Sequence, residues 1–179
     1  MAVITIVEYR AAWADEFAQL GHLLRQAIGP VARRIHHIGS TAVPGLPSKP
    51  IIDVQISVEE LSPIAAYRDP LLAVGFHWRE DNPELTKRYF REGPGKPRVH
   101  IHVRQFGSWA EQFSLLFRDY LRAAADEARA YGEAKKRAAA QAESRQEYGN
   151  LKAPCIWGII ERADAWSQST GWRTPKSDA

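Results

Sequence analysis

The stretch HHIGSTAVPGLPSKPIIDVQISV, residues 36–58, restricts the folds open to this chain more than any other. A hydrophobic approach ends in Gly39-Ser40-Thr41. A loop holding Pro44, Pro47, Lys49 and Pro50 follows, and a β-branched run then carries one carboxylate, Asp53. Successive strand residues point to opposite faces. Ile52, Val54, Ile56 and Val58 therefore share one side, and Ile51, Asp53, Gln55 and Ser57 the other. The first side packs on a core, while the second offers an acid and an amide to something polar. An exposed strand face gives the same alternation, so the turn ahead of the strand supplies the weight. Gly-Ser-Thr after a strand presents backbone N–H groups and hydroxyls to an anion. The prolines restrict the loop that returns to Asp53, and Lys49 adds a cation near its end. A phosphate-binding turn beside a strand-borne carboxylate is the minimal equipment for a metal–nucleotide complex.

A second segment points the same way. In RVHIHVRQ, residues 98–105, Val99, Ile101 and Val103 share one face and Arg98, His100, His102 and Arg104 the other. Four potential cations in a row suit a neighbouring carboxylate, a metal or a phosphate. They equally suit a solvent-facing strand edge that deters aggregation. Two histidines at i,i+2 could ligate a metal together with Asp53 if the two strands were neighbours.

Around these segments the chain reads as alternating elements. VITIV (3–7) suggests a strand, and apolar residues at Trp13, Phe17, Leu20, Leu24 and Ala27 describe a helix face stopped by Gly29-Pro30. Strands are expected at 33–38 and 51–58, and a helix over 62–73 with Ser62 as cap and Pro63 in its first turn. GFHWRE, TKRYFRE and RVHIHVRQ give three further strands, the last two joined by Gly93-Pro94-Gly95-Lys96-Pro97. From Ser108 the pattern turns helical, with Phe113, Leu116, Phe117, Tyr120 and Leu121 on one face. Residues 126–147 form a charged helix, and Ile156, Ile159, Ile160 and Ala163 mark a last one. The expected organisation is a single α+β domain over 1–166, followed by a polar, loosely ordered tail at 167–179.

Composition narrows the function classes. A single cysteine, Cys155, excludes an internal disulfide and a thiolate zinc cluster and points to a reducing cytoplasm. Glu8 and Arg10 interrupt the apolar run a signal peptide needs, and no stretch approaches the roughly 20 apolar residues of a membrane span. A net charge of +3 is too weak to imply nucleic acid, and the aromatic stacking pattern of single-strand binders is missing. The expected partner is a small phosphorylated ligand or a nucleotide.

The strings IGSTAVPGLPSKPIIDVQI (38–56), RYF (88–90), HIHV (100–103), FRDYLR (117–122) with Tyr131 and Lys135, and YGNLKAPCIWGIIERADAW (148–166) resemble the GrpB-like family over most of the chain. The resemblance implies a nucleotidyltransferase-superfamily fold, a mixed sheet flanked by helices. In that superfamily a Gly-Ser turn precedes a strand bearing Asp-x-Asp or Asp-x-Glu, with a third acid on a neighbouring strand. Gly39 and Ser40 match the turn, and Asp53 matches the first carboxylate and catalytic acid. The implied chemistry is attack by an acceptor hydroxyl on the α-phosphorus while divalent metal bridges triphosphate oxygens. Here the second acid is replaced by Gln55, and His100 and His102 stand where a third would be sought. One aspartate is too few for two magnesium ions, and imidazoles shift the preference from magnesium towards manganese, iron or zinc.

Three readings stand at this point. The first is a nucleotidyltransferase in which Gly39, Ser40, Thr41 and Lys49 seat phosphates, Asp53 with His100 or His102 holds magnesium, manganese or zinc, and Arg98 and Arg104 stabilise developing charge. The second is a non-catalytic domain for a nucleotide or a coenzyme A precursor, since GrpB-like domains also occur joined to dephospho-coenzyme A kinase. The third is a metal-dependent hydrolase at an Asp-His-His site. Arg118, in FRDYLR, either reaches a phosphate or anchors helix to sheet with Asp119. Lys135, Lys152 and Arg88 are solvated or structural unless a pocket gathers them.

Overall fold

The computed structural model describes residues 4–179. The strand expected at 3–7 begins outside them, and its remainder forms only a two-bond bridge between Val7 and Ser48 (2.9 and 2.8 Å). Helix α1 (Ala12–Ile28) follows, with Trp13, Phe17 and Leu24 buried as their spacing predicts. Gly29 ends it at a φ of 61°, where a side chain would be strained. Strands β1 (Arg34–Ile38), β2 (Ile52–Val58), β3 (Phe76–Trp78), β4 (Lys87–Glu92) and β5 (Val99–Gln105) make one sheet in the order β1-β2-β5-β4-β3. Only β2 and β5 run parallel; the other pairs are antiparallel.

Helix α2 (Ala65–Ala73) starts later than expected and has no side-chain cap, so Ser62 and Pro63 lie ahead of it. The Tyr67 hydroxyl donates to Leu61 O (2.7 Å) and sets the entry instead. Together α1 and α2 cover the apolar sheet face, on which Ile35, Val54, Ile56, Phe90, Ile101 and Val103 are fully buried. Each such aliphatic side chain contributes about 2 kcal/mol.

On the opposite side one helix packs on the sheet, and two more pack on that helix and on each other. Helix α3 (Trp109–Ala123) begins at Ser108, whose hydroxyl accepts from Glu111 N (3.2 Å). Helix α4 (Ala125–Gln141) is shorter than the charged run suggests. The chain breaks at 142–144 because Ser144 and Glu147 build a new helix start. Ser144 Oγ caps the helix by accepting from Glu147 N (3.1 Å), and Glu147 Oε2 reaches back to accept from Glu143 N (2.7 Å), one residue ahead of the cap. Helix α5 (Arg145–Thr170) is therefore much longer than its apolar markers indicate. These helices bury Tyr120, Leu121, Tyr131, Ile159 and Ala163 against Val43 and Leu46 of the proline loop. Packing is close: a Cβ on Gly132 would sit 3.0 Å from Pro47 Cδ.

The tail is docked rather than loose. Asp178 N donates to Ile35 O (2.9 Å), and Asp178 Oδ2 accepts from His37 N (3.0 Å), so the tail covers the free edge of β1. Arg118, 2% exposed, completes the joint. Its Nη1 donates to His37 O (2.9 Å) and Asp178 Oδ2 (2.8 Å), and its Nε donates to Asp119 Oδ1 (2.7 Å). Of the two sequence readings of Arg118, this is the anchor. Removing one partner from a buried ion pair strands the others, so Arg118→Ala should lower unfolding free energy by about 3 kcal/mol in urea denaturation. A loss below about 1 kcal/mol would show that the joint contributes little.

Candidate functional site

The site forms where the parallel pairing brings three polar side chains into adjoining rows. Asp53 lies opposite His100, and Gln55 opposite His102. Asp53 Oδ1 is 3.3 Å from His100 Nδ1 and 3.4 Å from His102 Nε2. The three potential ligand atoms all lie within 4.8 Å of one another. Ligands about 2.1 Å from one ion sit roughly 3.0–3.4 Å apart, so the spacing suits a metal. Two imidazoles with one carboxylate favour zinc or manganese over magnesium. Tyr89, on β4, packs against both rings at 5.5 and 5.3 Å between centroids and holds them in place. Burial alone would raise the Asp53 carboxyl, but hydrogen bonds and charge from His100 and His102 overrule it and hold the acid well below the usual range. Burial pushes His102 down, so it is neutral at pH 7 and free to ligate.

Gly39 brings the turn against this acid. Its φ of +71° lies where side chains are disfavoured, and a Cβ there would come within 2.6 Å of Asp53 Oδ2. Gly39 and Ser40 line a cleft of about 250 Å³ with Asp53, His100 and Lys49. Thr41 does not face it: its hydroxyl donates to Ile51 O (3.1 Å) and lies 3.0 Å from His37 Nε2.

The far wall of the cleft comes from the helical half. Tyr131 and Lys135 on α4, and Tyr148 and Lys152 on α5, line it together with Ser48 and Phe117. Lys135 Nζ lies 5.0 Å from the Tyr131 ring centroid, and Tyr148 lies between Lys49 Nζ (4.8 Å) and Lys152 Nζ (4.5 Å). None of the three lysines forms an ion pair among the described residues, and the buried Lys135 Nζ has no hydrogen-bond partner. Burial, then the neighbouring Lys152 and Lys49, pushes Lys135 down to about 7. Burial and Lys49 push Lys152 down to about 8. Three lysines thus converge on a cleft whose one carboxylate is Asp53, and its charge partly offsets the lowering at Lys49 and Lys152.

Other expected site residues are dispersed. Arg98 borders the cleft's outer side and pairs with Glu92 (2.6 Å). Arg104 is turned away onto Glu84 (2.9 Å), and Arg88 donates to Leu85 O (3.0 Å). Gln55 is fully buried under α3, with its Nε2 donating to Glu111 O (3.2 Å). Tyr131 and Tyr148 carried no site reading from sequence. The signal available was a Tyr four residues ahead of a Lys, present in both α4 and α5.

The mixed sheet flanked by helices is a nucleotidyltransferase-like fold. Solved structures of Cid1 poly(U) polymerase share this fold: the form described as Mg 3′-dATP bound superposes with a TM-score of 0.55 at 12% identity, over 82% of this chain and 49% of that one. The chain belongs to the GrpB family, whose model, described as GrpB protein, matches residues 3–162. GrpB from Enterococcus faecalis superposes with a TM-score of 0.80 at 33% identity, covering 90% of this chain and 99% of that one. The UPF0157 protein YqkA of Bacillus subtilis is 35% identical over 92% of this chain and 48% of its own length. A dephospho-CoA kinase of Mycolicibacterium paratuberculosis is 32% identical over 96% of this chain and 49% of its own length. The chain thus spans about half the length of both. No helix among the described residues is long and apolar enough to cross a membrane.

Two tests follow from the geometry. Gln55→Glu should not create a second metal ligand; a carboxylate under α3 should instead cost on the order of 2–4 kcal/mol of stability, read by thermal melting. Unchanged stability with gained metal binding would overturn this. Because Lys135 and Lys152 lose their protons as pH rises through about 7 and 8, pyrophosphate affinity should fall between pH 6 and pH 9 in calorimetric titrations. The sign for folding is opposite. A lysine depressed in the fold disfavours it most below pH 7, and Lys135→Met should raise the melting temperature at pH 6 while weakening pyrophosphate.

Proposed function

We propose that this protein binds a nucleoside triphosphate with one divalent cation in the cleft and transfers its nucleotidyl group to a small acceptor. The observation that carries the reading is the convergence of Lys49, Lys135 and Lys152, without a carboxylate of their own, across the cleft from Asp53, His100 and His102. The lysines neutralise the β- and γ-phosphates and then the departing pyrophosphate. Gly39 and Ser40 let the triphosphate approach the strand. Asp53, His100 and His102 would hold the cation, which polarises the α-phosphate when bound. Membership of the GrpB family and the nucleotidyltransferase-like fold support this reading without specifying a substrate.

A second reading, binding without turnover, draws on Gln55: a superfamily acid position that is neutral and sealed under α3 removes a metal ligand. The ligand would then be a nucleotide or a coenzyme A precursor, in keeping with relatives named dephospho-CoA kinase. Calorimetry with the four ribonucleoside triphosphates in magnesium, manganese, zinc and EDTA decides the binding step. Metal-dependent binding, weakened at least about tenfold by Asp53→Ala, is expected. No nucleotide binding under any condition would sink both nucleotide readings. Pyrophosphate release on adding candidate hydroxyl acceptors separates transfer from binding alone, and release without an acceptor would mean hydrolysis.

A further inference from the structure

A second cavity, of about 390 Å³, adjoins the cleft at His100 and Lys49. It shares Lys49, Ile51 and His100 with the cleft and is otherwise bounded by Arg91, Arg98, Arg145 and Tyr89, with Thr5 and Pro50 at its margin. The sheet dictates part of this. Asp53 on β2, His100 on β5 and Arg91 on β4 lie in one register row and project from the same face. Arg145 arrives from the first turn of α5.

The charge here is not balanced. Glu92 accepts from Arg91 Nη2 (3.0 Å) and pairs with Arg98 Nε (2.6 Å), and it is the one carboxylate these arginines share. Arg145 forms no ion pair among the described residues, and Arg91 Nε is buried without a hydrogen-bond partner. Lys49 feels this crowding: burial first, then the positive charges of Arg145 and Arg98, pull its pKa down. Guanidinium groups match phosphate and carboxylate in a planar, two-bond geometry that ammonium lacks. The volume suits a small molecule.

We infer that this cavity is the acceptor subsite, and that the acceptor is a small molecule carrying a phosphate or carboxylate group in addition to its reactive hydroxyl. The inference rests on the nucleotidyl-transfer reading. With its anionic group on Arg91 and Arg145, such a molecule places its hydroxyl beside His100 and Asp53, facing a triphosphate held by the lysines. The hydroxyl oxygen forms a bond to the α-phosphorus, the bond to pyrophosphate breaks, and the hydroxyl proton passes to water. The two anions occupy separate cavities that adjoin at His100, so they bind together rather than in competition.

The test titrates glycerol 3-phosphate, glycerate and glycerol into the full chain already saturated with pyrophosphate and manganese, followed by calorimetry. One equivalent of an anionic ligand should bind, glycerol should not, and the tighter of the two anions identifies the recognised group as phosphate or carboxylate. Arg91→Gln and Arg145→Gln should each weaken this second event about tenfold while leaving pyrophosphate affinity within about twofold. Lys135→Gln should do the reverse. Arg145 is exposed, so its variant keeps the test valid even if Arg91→Gln unfolds. Competition between the two anions, equal binding of glycerol, indifference to both arginine variants, or no binding of either anion would overturn the inference. Failure of pyrophosphate alone, with glycerol 3-phosphate still bound through the arginines, would remove the lysine reading and leave the second anion subsite standing.

Discussion

The parallel pairing of β2 with β5 is the constraint on which the site depends. Every other strand pair is antiparallel, and this one brings residues about 50 positions apart into register. It sets Asp53 opposite His100 and His102 one row along, and antiparallel β4 continues the first row to Arg91. Because the side-chain period is two, a slip of one residue would send all these groups into the apolar core formed with α1 and α2. The buried valines and isoleucines on the opposite face therefore fix the position of the polar row as firmly as any contact within it.

The helical half supplies what the sheet lacks. The sheet itself offers an acid and two imidazoles, a group that could hold a metal, and no lysine at the cleft. Helices α4 and α5 add Lys135 and Lys152, each laid beside a tyrosine one helical turn earlier. Desolvating two ammonium groups next to Lys49 opposes folding, and the second apolar cluster around Leu46, Tyr131 and Ile159 is what holds them there. Uncompensated buried charge of this kind marks a ligand site more sharply than a cavity does, since a structural role would have provided a carboxylate.

The buried charges that do have partners contrast with this. Arg118 is as deeply buried as Lys135 yet fully engaged by Asp178, Asp119 and the His37 carbonyl. Burial raises the Asp178 carboxyl, but the hydrogen bond from His36 and the Arg118 charge outweigh it and bring it down to about 2. That joint ties the tail to the edge of β1, which would otherwise expose unpaired backbone groups. Arg118 thus serves the tail joint and Arg104 pairs with Glu84, while Arg91, given no role in the sequence reading, stands in the polar row.

Local patterns in the sequence were enough for most of the elements and for the polar faces of β2 and β5. Alternation in 52–58 and 99–105 placed Asp53, His100 and His102 on polar strand faces, and Gly39-Ser40 announced the turn ahead of β2. These are properties of neighbouring residues, and short-range rules carry them. Which cations meet a carboxylate was decided only in three dimensions, by helix packing, by the break at 142–144 and by the docking of the tail. Charge spacing along a helix looks the same whether the face meets water or closes over a cleft. Only the tertiary structure says which cations find a carboxylate and which, like Lys135, Lys152 and Arg145, do not.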